Sequence, residues 1–493
     1  MTRSSGILLH ISSLPSPYGI GNLGQAARDF ADFLHEARQR YWQILPITPT
    51  GYGDSPYQSS STFAGNPYLL DPEEFLQEGL LTKEELEGSW GDNPEQTDFG
   101  LLYEKRLPLL RKAYARAELS PAFDEFCQKE RDWLDDCALF MALKEHFGGA
   151  PWLDWESDIR LRKPKAMAAW RKALAEEIRF HQWLQFRFFR QWGALRDYAH
   201  SKDIQIIGDI PIYVPMDSAD VWSHPENFQL KRNRRPQVVA GCPPDAFTRD
   251  GQYWGNPIYR WEKMEQDGFS WWLRRVGAAA RCFDVIRIDH FRGIESYWSI
   301  PAHHKTARHG QWVKGPGLAL VNAIRAAYPD IRFIAEDLGY LTPEVQQLVA
   351  DSGFPGMKVL EFAFDSREES DYLPHTYGTN CVCYTGTHDN PPLRQWYEES
   401  SERDLDRNYA RKYMGLSDGE DFCQAMIALG MESKADLFVC QMQDYLNLGA
   451  DSRMNEPGSL KPQNWRWRMK KGAANPQLAN EIAALTHRAG RDA

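Results

Sequence analysis

Four acidic residues of this 493-residue sequence stand at the ends of short apolar runs, where a β-strand would give way to a loop. They are Asp209, Asp289, Glu336 and Asp389, and two histidines, His290 and His388, stand beside them. In a barrel of parallel strands the carboxyl ends share one rim, so these side chains would meet there. A single carboxylate of this kind is better explained as a helix cap or a loop ion pair. Four on one rim favour a catalytic site.

The spacing of these residues predicts different protonation states for two of the carboxyl groups. Arg287 and Asp289 are two residues apart and leave a strand on the same face, where a guanidinium favours the ionised carboxylate that a nucleophile needs. A purely structural Arg–Asp pair would have the same spacing. Glu336 follows an apolar run, where burial would raise its pKa and keep it a proton donor, whereas its neighbour Asp337 would face the other way as a structural partner. One ionised and one protonated carboxyl group is the pattern of a retaining glycosidase, and Asp389 could hold sugar hydroxyls.

Eight short β-like runs separated by helical patterns would position these residues. The runs cover residues 7–11, 42–47, 204–210, 283–289, 332–336, 357–362, 381–385 and 436–440. Between the first two runs, Phe30, Phe33, Leu34 and Ala37 follow the spacing of an amphipathic helix. Strands that alternate with helices and are apolar on both faces indicate a parallel sheet. Eight such units predict an α/β fold of the closed (β/α)₈ TIM barrel type rather than an open doubly wound sheet.

Two long connections interrupt the predicted barrel. About 150 residues of helical pattern separate the second and third runs, which predicts a helical insertion over about 71–200. A second insertion, about 215–275, is predicted to be irregular because it is rich in Pro, Gly and Trp, and long irregular connections are usually functional. We therefore expect one catalytic barrel domain over 1–493 with two insertions.

The amino-acid composition limits the classes of partner that the protein could bind. Lys and Arg number 57 and Asp and Glu 68, a net charge of −11, which argues against a nucleic-acid partner. The sequence has no apolar stretch long enough to span a membrane and no signal peptide pattern, and its 8 cysteines form no CxxC frame. These features predict a cytoplasmic protein with no membrane partner, most simply a monomer. The 18 Trp and 21 Tyr would suit a cleft in which flat rings stack on sugars.

Longer motifs, in order along the chain, resemble family 77 of the glycoside hydrolases, the 4-α-glucanotransferases or amylomaltases of the α-amylase superfamily. The motifs lie at residues 53–58, 65–68, 217–222, 240–247, 251–257, 287–293, 335–339, 387–390, 453–455 and 464–468. No GxSxG, HExxH, Walker-A or strand-bound GxGxxG motif competes with them.

The resemblance implies a (β/α)₈ barrel that transfers α-1,4-glucan segments with retention, using maltooligosaccharides or fragments of starch or glycogen and neither cofactor nor metal. Matched by position, Asp289 resembles the nucleophile, Glu336 the general acid/base, and Asp389 the third carboxylate, which stabilises the transition state. Residues 240–257 resemble a mobile loop in which Trp254 is a stacking platform. The residues that the resemblance implies for substrate binding are Ser55, Tyr57, Asp209, Asp245, Trp254, Asn256, Arg287, His290, His388 and Asn455.

The sequence departs from the family pattern beside the third carboxylate. Pro391-Pro392 follows Asn390 where a polar Asp-Thr pair is usual, and Glu456 stands where a small residue is common. Neither change removes a catalytic carboxylate. Two other functions remain open at this point: an α-amylase-type hydrolase with the same three carboxylates, and a non-catalytic glycan-binding protein, against which the intact set of carboxylates argues.

Overall fold

The computed structural model describes residues 3–244, 249–339, 341–367, 369–399 and 404–492. Its strands, in chain order, are β1 (Ser4–Leu8), β2 (Tyr41–Gln43), β3 (Gln205–Pro211), β4 (Val238–Cys242), β5 (Gln252–Pro257), β6 (Val285–Asp289), β7 (Ser296–Pro301), β8 (Gln311–Lys314), β9 (Arg332–Ala335), β10 (Gly356–Val359), β11 (Cys381–Tyr384) and β12 (Leu437–Gln441).

Eight of these strands form one parallel sheet in the order β10-β11-β12-β1-β2-β3-β6-β9. The two ends of this sheet meet, because the backbone N–H of Ala335 in β9 donates to the carbonyl of Pro355, just before β10, at 2.9 Å. The Asp337 carboxylate joins them again by accepting from the Met357 N–H of β10 at 2.7 Å. The predicted barrel is confirmed, and each predicted run overlaps one of its strands, although β1 begins at Ser4 and ends at Leu8 and β2 ends at Gln43, before the ends of the predicted runs.

Twenty α-helices accompany the strands in the described part of the chain. In order they are α1 (Gln25–Glu36), α2 (Pro72–Gln77), α3 (Lys83–Leu86), α4 (Phe99–Arg116), α5 (Pro121–Lys129), α6 (Arg131–His146), α7 (Ser157–Arg160), α8 (Pro164–Ala173), α9 (Ala175–Ser201), α10 (Ala219–Ser223), α11 (Trp261–Gln266), α12 (Ser270–Cys282), α13 (Arg292–Glu295), α14 (Leu318–Ala327), α15 (Pro343–Ser352), α16 (Leu393–Glu398), α17 (Asp404–Met414), α18 (Phe422–Glu432), α19 (Met442–Tyr445) and α20 (Pro476–Arg488). None of the described helices is both long enough and apolar enough to cross a membrane.

The first helix shows how the apolar spacing builds the wall of the barrel. In α1 the residues Phe30, Phe33 and Leu34 are buried, as their spacing predicts. The ring of Phe30 packs edge-on against Trp42 of β2, with centroids 5.0 Å apart. Strand and helix therefore bury each other here.

Helices α2–α8 and most of α9 occupy the region predicted as the helical insertion, and α9 supports the loop that leads to the active-site rim. The Gln185 side chain of α9 accepts from the Gly65 N–H at 2.7 Å and donates to the Gly65 carbonyl at 2.9 Å. A side chain at position 65 would collide with Phe188, because a Cβ there would lie 1.9 Å from its ring. Only glycine allows this close packing of the loop on α9.

The second insertion is more regular than the sequence indicated. Strands β4 and β5 form an antiparallel hairpin, and β7 and β8 complete a four-stranded sheet in the order β5-β4-β7-β8. The prediction of irregular structure is wrong there because β4 pairs with β7, which lies beyond the fourth barrel strand, and a local pattern does not reveal a distant partner. The division into one domain and two insertions, and the mobility of residues 240–257, stay predictions.

Candidate active site

An arginine links two of the four predicted rim carboxylates. The register of β3 and β6 places Asp209 opposite Arg287. The Arg287 Nη1 atom lies 2.5 Å from Asp209 Oδ2 and 3.0 Å from Asp289 Oδ1. The Tyr57 hydroxyl donates to Asp209 Oδ2 at 2.7 Å. Asp209 therefore holds the guanidinium in place beside Asp289, and Tyr57 holds Asp209.

The charges in this group depend on one another. Burial raises the pKa of Asp209, and the charge of Asp289 acts in the same direction, whereas Arg287 and Tyr57 act against them. Burial alone would lower the pKa of Arg287, but Asp209 and Asp289 raise it well above its usual value. The guanidinium is therefore a fixed cation shared by two carboxylates.

Glu336 lies in a buried position beside the backbone turn that follows Asp289. Its Oε2 atom accepts from the His290 N–H at 2.7 Å, and its Oε1 atom accepts from the Leu338 N–H at 2.9 Å. Burial, followed by the charge of Asp289, raises the pKa of Glu336 to about 8, although Arg287 and the two backbone donors oppose this shift. Glu336 therefore carries a proton at neutral pH, the state predicted for an acid catalyst.

The turn after β6 explains this contact. His290 has a φ of 54°, a left-handed conformation that is uncommon for a residue with a side chain. The turn directs the His290 N–H to the Glu336 carboxyl, while the next N–H, of Phe291, donates to the Glu336 carbonyl at 2.9 Å. The strand that ends in Asp289 thus also fixes Glu336.

Asp389 is held by residues from the C-terminal part of the chain. The Asn455 Nδ2 donates to Asp389 Oδ1 at 2.6 Å, and the Arg453 Nη2 donates to the Asp389 carbonyl at 2.8 Å. His388 Nε2 lies 3.4 Å from Asp389 Oδ1, and the Tyr57 ring stacks on His388 with centroids 5.1 Å apart. The Asp389 side chain is 42% exposed, so a ligand in the cleft could reach it. Burial lowers the pKa of His388, so this ring is neutral although Asp389 opposes the shift.

Trp254 of β5 covers the other side of the rim. Its ring meets His290 edge to face with centroids 4.8 Å apart, and its Nε1 donates to Gln252 Oε1 at 3.1 Å. Burial and the nearby Arg292 lower the pKa of His290 to about 3. A half-buried indole over a neutral imidazole gives the cleft an apolar side next to its carboxylates.

The remaining predicted binding residues are less directly connected to this group. Asn256 is buried on β5, two residues after Trp254. Ser55 shapes the turn before Tyr57, since its Oγ accepts from the Tyr57 N–H at 3.2 Å. Asp245 lies outside the described residues.

Two residues at the site were part of quoted motifs but were not predicted to act there. Arg453 binds the Asp389 carbonyl, and the Trp465 ring lies 5.8 Å from Tyr57 and 5.9 Å from His388. Their positions in the motifs at residues 453–455 and 464–468 were the sequence feature that could have placed them at the site. In the described part of the chain, no three His, Cys, Asp or Glu side chains are grouped as a metal site would require.

This arrangement occurs on a chain that matches a known family over almost its whole length. The model of the family described as 4-alpha-glucanotransferase (glycoside hydrolase family 77) matches residues 9–474. The chain belongs to this family. The 4-alpha-glucanotransferase of Thermus thermophilus is 47% identical over 98% of this chain and 98% of its own length, and that of Clostridium butyricum is 46% identical over 98% and 100%. The amylomaltase from Streptococcus agalactiae, solved in complex with acarbose, has a TM-score of 0.96 at 41% identity and covers 99% of each chain.

The family assignment confirms the resemblance found in the sequence and makes the protein a transferase. The non-catalytic glycan-binding protein is therefore no longer an alternative.

Both departures from the family pattern lie beside Asp389. Glu456 pairs with Lys461 at 2.5 Å, and the residue after Pro391-Pro392, Leu393, donates its N–H to Asp444 at 2.7 Å.

Proposed function

We propose that this 4-α-glucanotransferase moves α-1,4-glucan segments from one maltooligosaccharide to the 4-hydroxyl of another glucan or of glucose, through a covalent glycosyl-enzyme intermediate. The observation that carries the proposal is the pairing of Glu336, protonated at neutral pH, with Asp289 beside a fixed cation. The N–H of His290, the residue next to Asp289, donates to Glu336 Oε2 at 2.7 Å, so the backbone that carries Asp289 also holds the Glu336 carboxyl group. Retaining chemistry requires them to lie about 5–5.5 Å apart.

In the first step Asp289 attacks the anomeric carbon of the donor while Glu336 gives its proton to the glycosidic oxygen. The glycosidic bond breaks, an ester to Asp289 forms, and the shortened glucan leaves with the proton. Arg287 Nη1, 3.0 Å from Asp289 Oδ1, holds the Asp289 side chain in place before attack. Asp389, oriented by Asn455, is placed to bind sugar hydroxyls and to stabilise the positive charge that develops on the ring.

In the second step Glu336 acts as a base. The negative charge of Asp289 is one of the two causes that raise the pKa of Glu336, and ester formation removes that charge. The pKa of Glu336 then falls, and its carboxylate takes the proton from the 4-hydroxyl of the acceptor. The acceptor oxygen attacks the anomeric carbon, the ester breaks, and Asp289 recovers its charge. The same two groups thus serve both halves of the reaction.

Transfer requires that a glucan acceptor displace water from the intermediate. Trp254 and Tyr57 offer ring faces for stacking on sugar rings, and residues 240–257 could cover the cleft and exclude water. The complex of the Streptococcus agalactiae amylomaltase with acarbose supports maltooligosaccharides, or fragments of starch or glycogen, as substrates.

The residues proposed for substrate binding are those of the sequence analysis. The reaction uses only carboxylates and hydroxyls, so we propose no cofactor, and we propose a monomer that works in the cytoplasm.

The direct test is incubation of the purified protein with maltotriose, followed by chromatography of the products. We expect glucose together with a ladder of oligosaccharides longer than maltotriose. Maltose and glucose with nothing longer than the substrate would instead identify a hydrolase of the α-amylase type and refute the proposal.

The intermediate can be tested separately with Glu336→Gln. This variant lacks the acid but keeps Asp289, so a maltosyl fluoride, whose leaving group needs no proton, should still glycosylate the enzyme. The intact protein mass should rise by one maltosyl group, and the Glu336→Gln/Asp289→Asn double variant should show no increase. The same mass increase in the double variant would rule out Asp289 as the nucleophile.

A further inference from the structure

A buried carboxylate outside the rim binds both ends of the segment that carries the third carboxylate. Residues 386–392, here called the Asp389 loop, follow β11 and precede α16. Asp444 of α19 is 3% exposed. Its Oδ2 accepts from the Thr385 hydroxyl at 2.6 Å, immediately before the loop, and its Oδ1 accepts from the Leu393 N–H at 2.7 Å, immediately after it. One side chain therefore sets the distance between the two ends of the Asp389 loop.

The two prolines of this sequence make the second of these bonds important. Pro391 and Pro392 have fixed φ angles and no N–H, so Leu393 carries the first backbone donor after Asn390. Leu393 is also the first residue of α16, and its side chain is fully buried. The return of the loop to the barrel wall thus depends on proline geometry and on the bond from Leu393 to Asp444.

The interior of the loop has its own hydrogen bonds. Asn390 Oδ1 accepts from both the N–H and the hydroxyl of Thr387 at 2.9 Å. Asp389 itself is held by Asn455 and Arg453, and neither of these bonds involves Asp444. The loop is a small compact unit, and Asp444 fixes where that unit sits on the barrel.

We propose that Asp444 is a positioning residue for the reaction: by binding Thr385 and Leu393 it places the Asp389 loop so that the Asp389 carboxylate meets the sugar in the transition state. This inference rests on the proposed function, because the role of Asp389 is part of that proposal. Asp444 does not itself reach the substrate. Its effect should therefore appear in the chemical step and not in substrate affinity.

The test is the kinetics of maltotriose disproportionation by Asp444→Ala, with the unfolding temperature measured alongside. A displacement of about 1 Å in a catalytic group lowers rates by roughly 100-fold, so we expect kcat to fall on the order of 10- to 100-fold while KM changes less than about 2-fold. Asp444→Asn should restore most of kcat, because its amide oxygen can still accept from Leu393 and its amide nitrogen can donate to the Thr385 hydroxyl. Thr385→Val, which removes one of the two bonds, should give an intermediate kcat and supplies the test if Asp444→Ala does not fold.

A matched control separates positioning from general stability. Asp284, just before β6 at the opposite end of the barrel, also accepts from a backbone N–H, that of Ile206 at 2.7 Å. We expect Asp284→Ala to lower the unfolding temperature but to leave kcat within about 2-fold when assayed well below that temperature. A folded Asp444→Ala with unchanged kcat, or with a loss confined to KM, would overturn the inference.

The role of Asp389 is tested independently by Asp389→Asn. A large loss of kcat supports the proposed function, and unchanged kcat refutes it whatever Asp444 does. If Asp444 acts through Asp389, adding Asp444→Ala to Asp389→Asn should lower the residual kcat much less than Asp444→Ala does alone. Full additivity would mean that Asp444 acts by another route and would overturn the inference.

Discussion

The proton on Glu336 should depend on the charge of Asp289, and this dependence can be measured directly. A glutamate with the ordinary pKa of 4.5 is protonated in about 0.3% of molecules at neutral pH, whereas one with a pKa of about 8 is protonated in about 90%. Burial and Asp289 together thus raise the population of the acid form about 300-fold. Asp289→Asn removes the charge and leaves the burial, so we expect the pKa of Glu336 to fall to a value between these two.

The measurement is a difference infrared titration of the protonated carboxyl band, compared between wild type and Asp289→Asn. Glu336→Gln, which lacks the group, identifies the band that belongs to Glu336. In wild type the loss of this band should coincide with the loss of kcat/KM on the basic side of the pH profile, because the free enzyme needs its acid protonated.

Two results would refute this reasoning. An unchanged pKa of Glu336 in Asp289→Asn would show that the charge of Asp289 contributes nothing. A wild-type Glu336 that titrates near 4.5 would show that neither burial nor Asp289 shifts it. In either case the switch from acid to base between the two steps would need another cause.

The pH dependence of unfolding gives a second measure of the pKa shift of Glu336. Because the pKa of Glu336 is higher in the folded than in the unfolded protein, the unfolded chain releases this proton first as the pH rises from about 4.5 to about 8. Over this range the folded state binds more protons, so the free energy of unfolding decreases with pH. Glu336→Gln removes this contribution, and its unfolding temperature relative to wild type should therefore rise across the interval. A constant difference would contradict the shift.

Three substitutions test how the other rim residues are held. Tyr57→Phe loses the 2.7 Å hydrogen bond to Asp209 but keeps the ring. Because such a bond is worth about 1.5–3 kcal/mol, we expect kcat/KM to fall roughly 10- to 100-fold. A change under about 2-fold would contradict this expectation. Asn455→Ala removes the 2.6 Å hydrogen bond to Asp389 and should lower kcat on the order of 10-fold with little change in KM. A change in KM alone would contradict the proposal that Asn455 orients Asp389. Trp254→Ala should raise the ratio of hydrolysis to transfer several-fold, because it opens the apolar side of the cleft. The ratio is measured as new reducing ends formed against products longer than the substrate, and an unchanged ratio would contradict the proposed role of Trp254.

The barrel strands could be predicted because burial leaves a local trace in the sequence. A strand such as β6 is covered on both faces, so its residues are mostly apolar before the chain reaches the rim, and Arg287 is the exception. The first polar residues after such a run are then the rim residues, as Asp289 and Glu336 show. Asp209, inside β3, and His388, three residues after the run that ends at Thr385, were found because they stand near the ends of such runs.

What the sequence left undetermined depends on partners far along the chain. Asn455 binds Asp389 across 66 residues, and no periodicity in either segment reports that contact. The pairing of β4 with β7 spans the fourth barrel strand and was missed for the same reason. Asp444 is a lone acidic residue in a short helix, a pattern that indicates a solvated surface, and only the fold shows it to be buried between Thr385 and Leu393.

The position of Glu336 at the closure of the barrel gives the acid its unusual environment. Its own N–H donates to the Ile288 carbonyl of β6 at 3.1 Å, so its backbone continues the sheet on one side. On the other side the adjacent Asp337 binds the Met357 N–H and thereby joins β9 to β10. Both residues follow β9 directly, so the carboxylate that joins β9 to β10 is the immediate chain neighbour of the carboxyl group that donates the proton. The same short segment therefore both closes the barrel and holds the acid in its buried position.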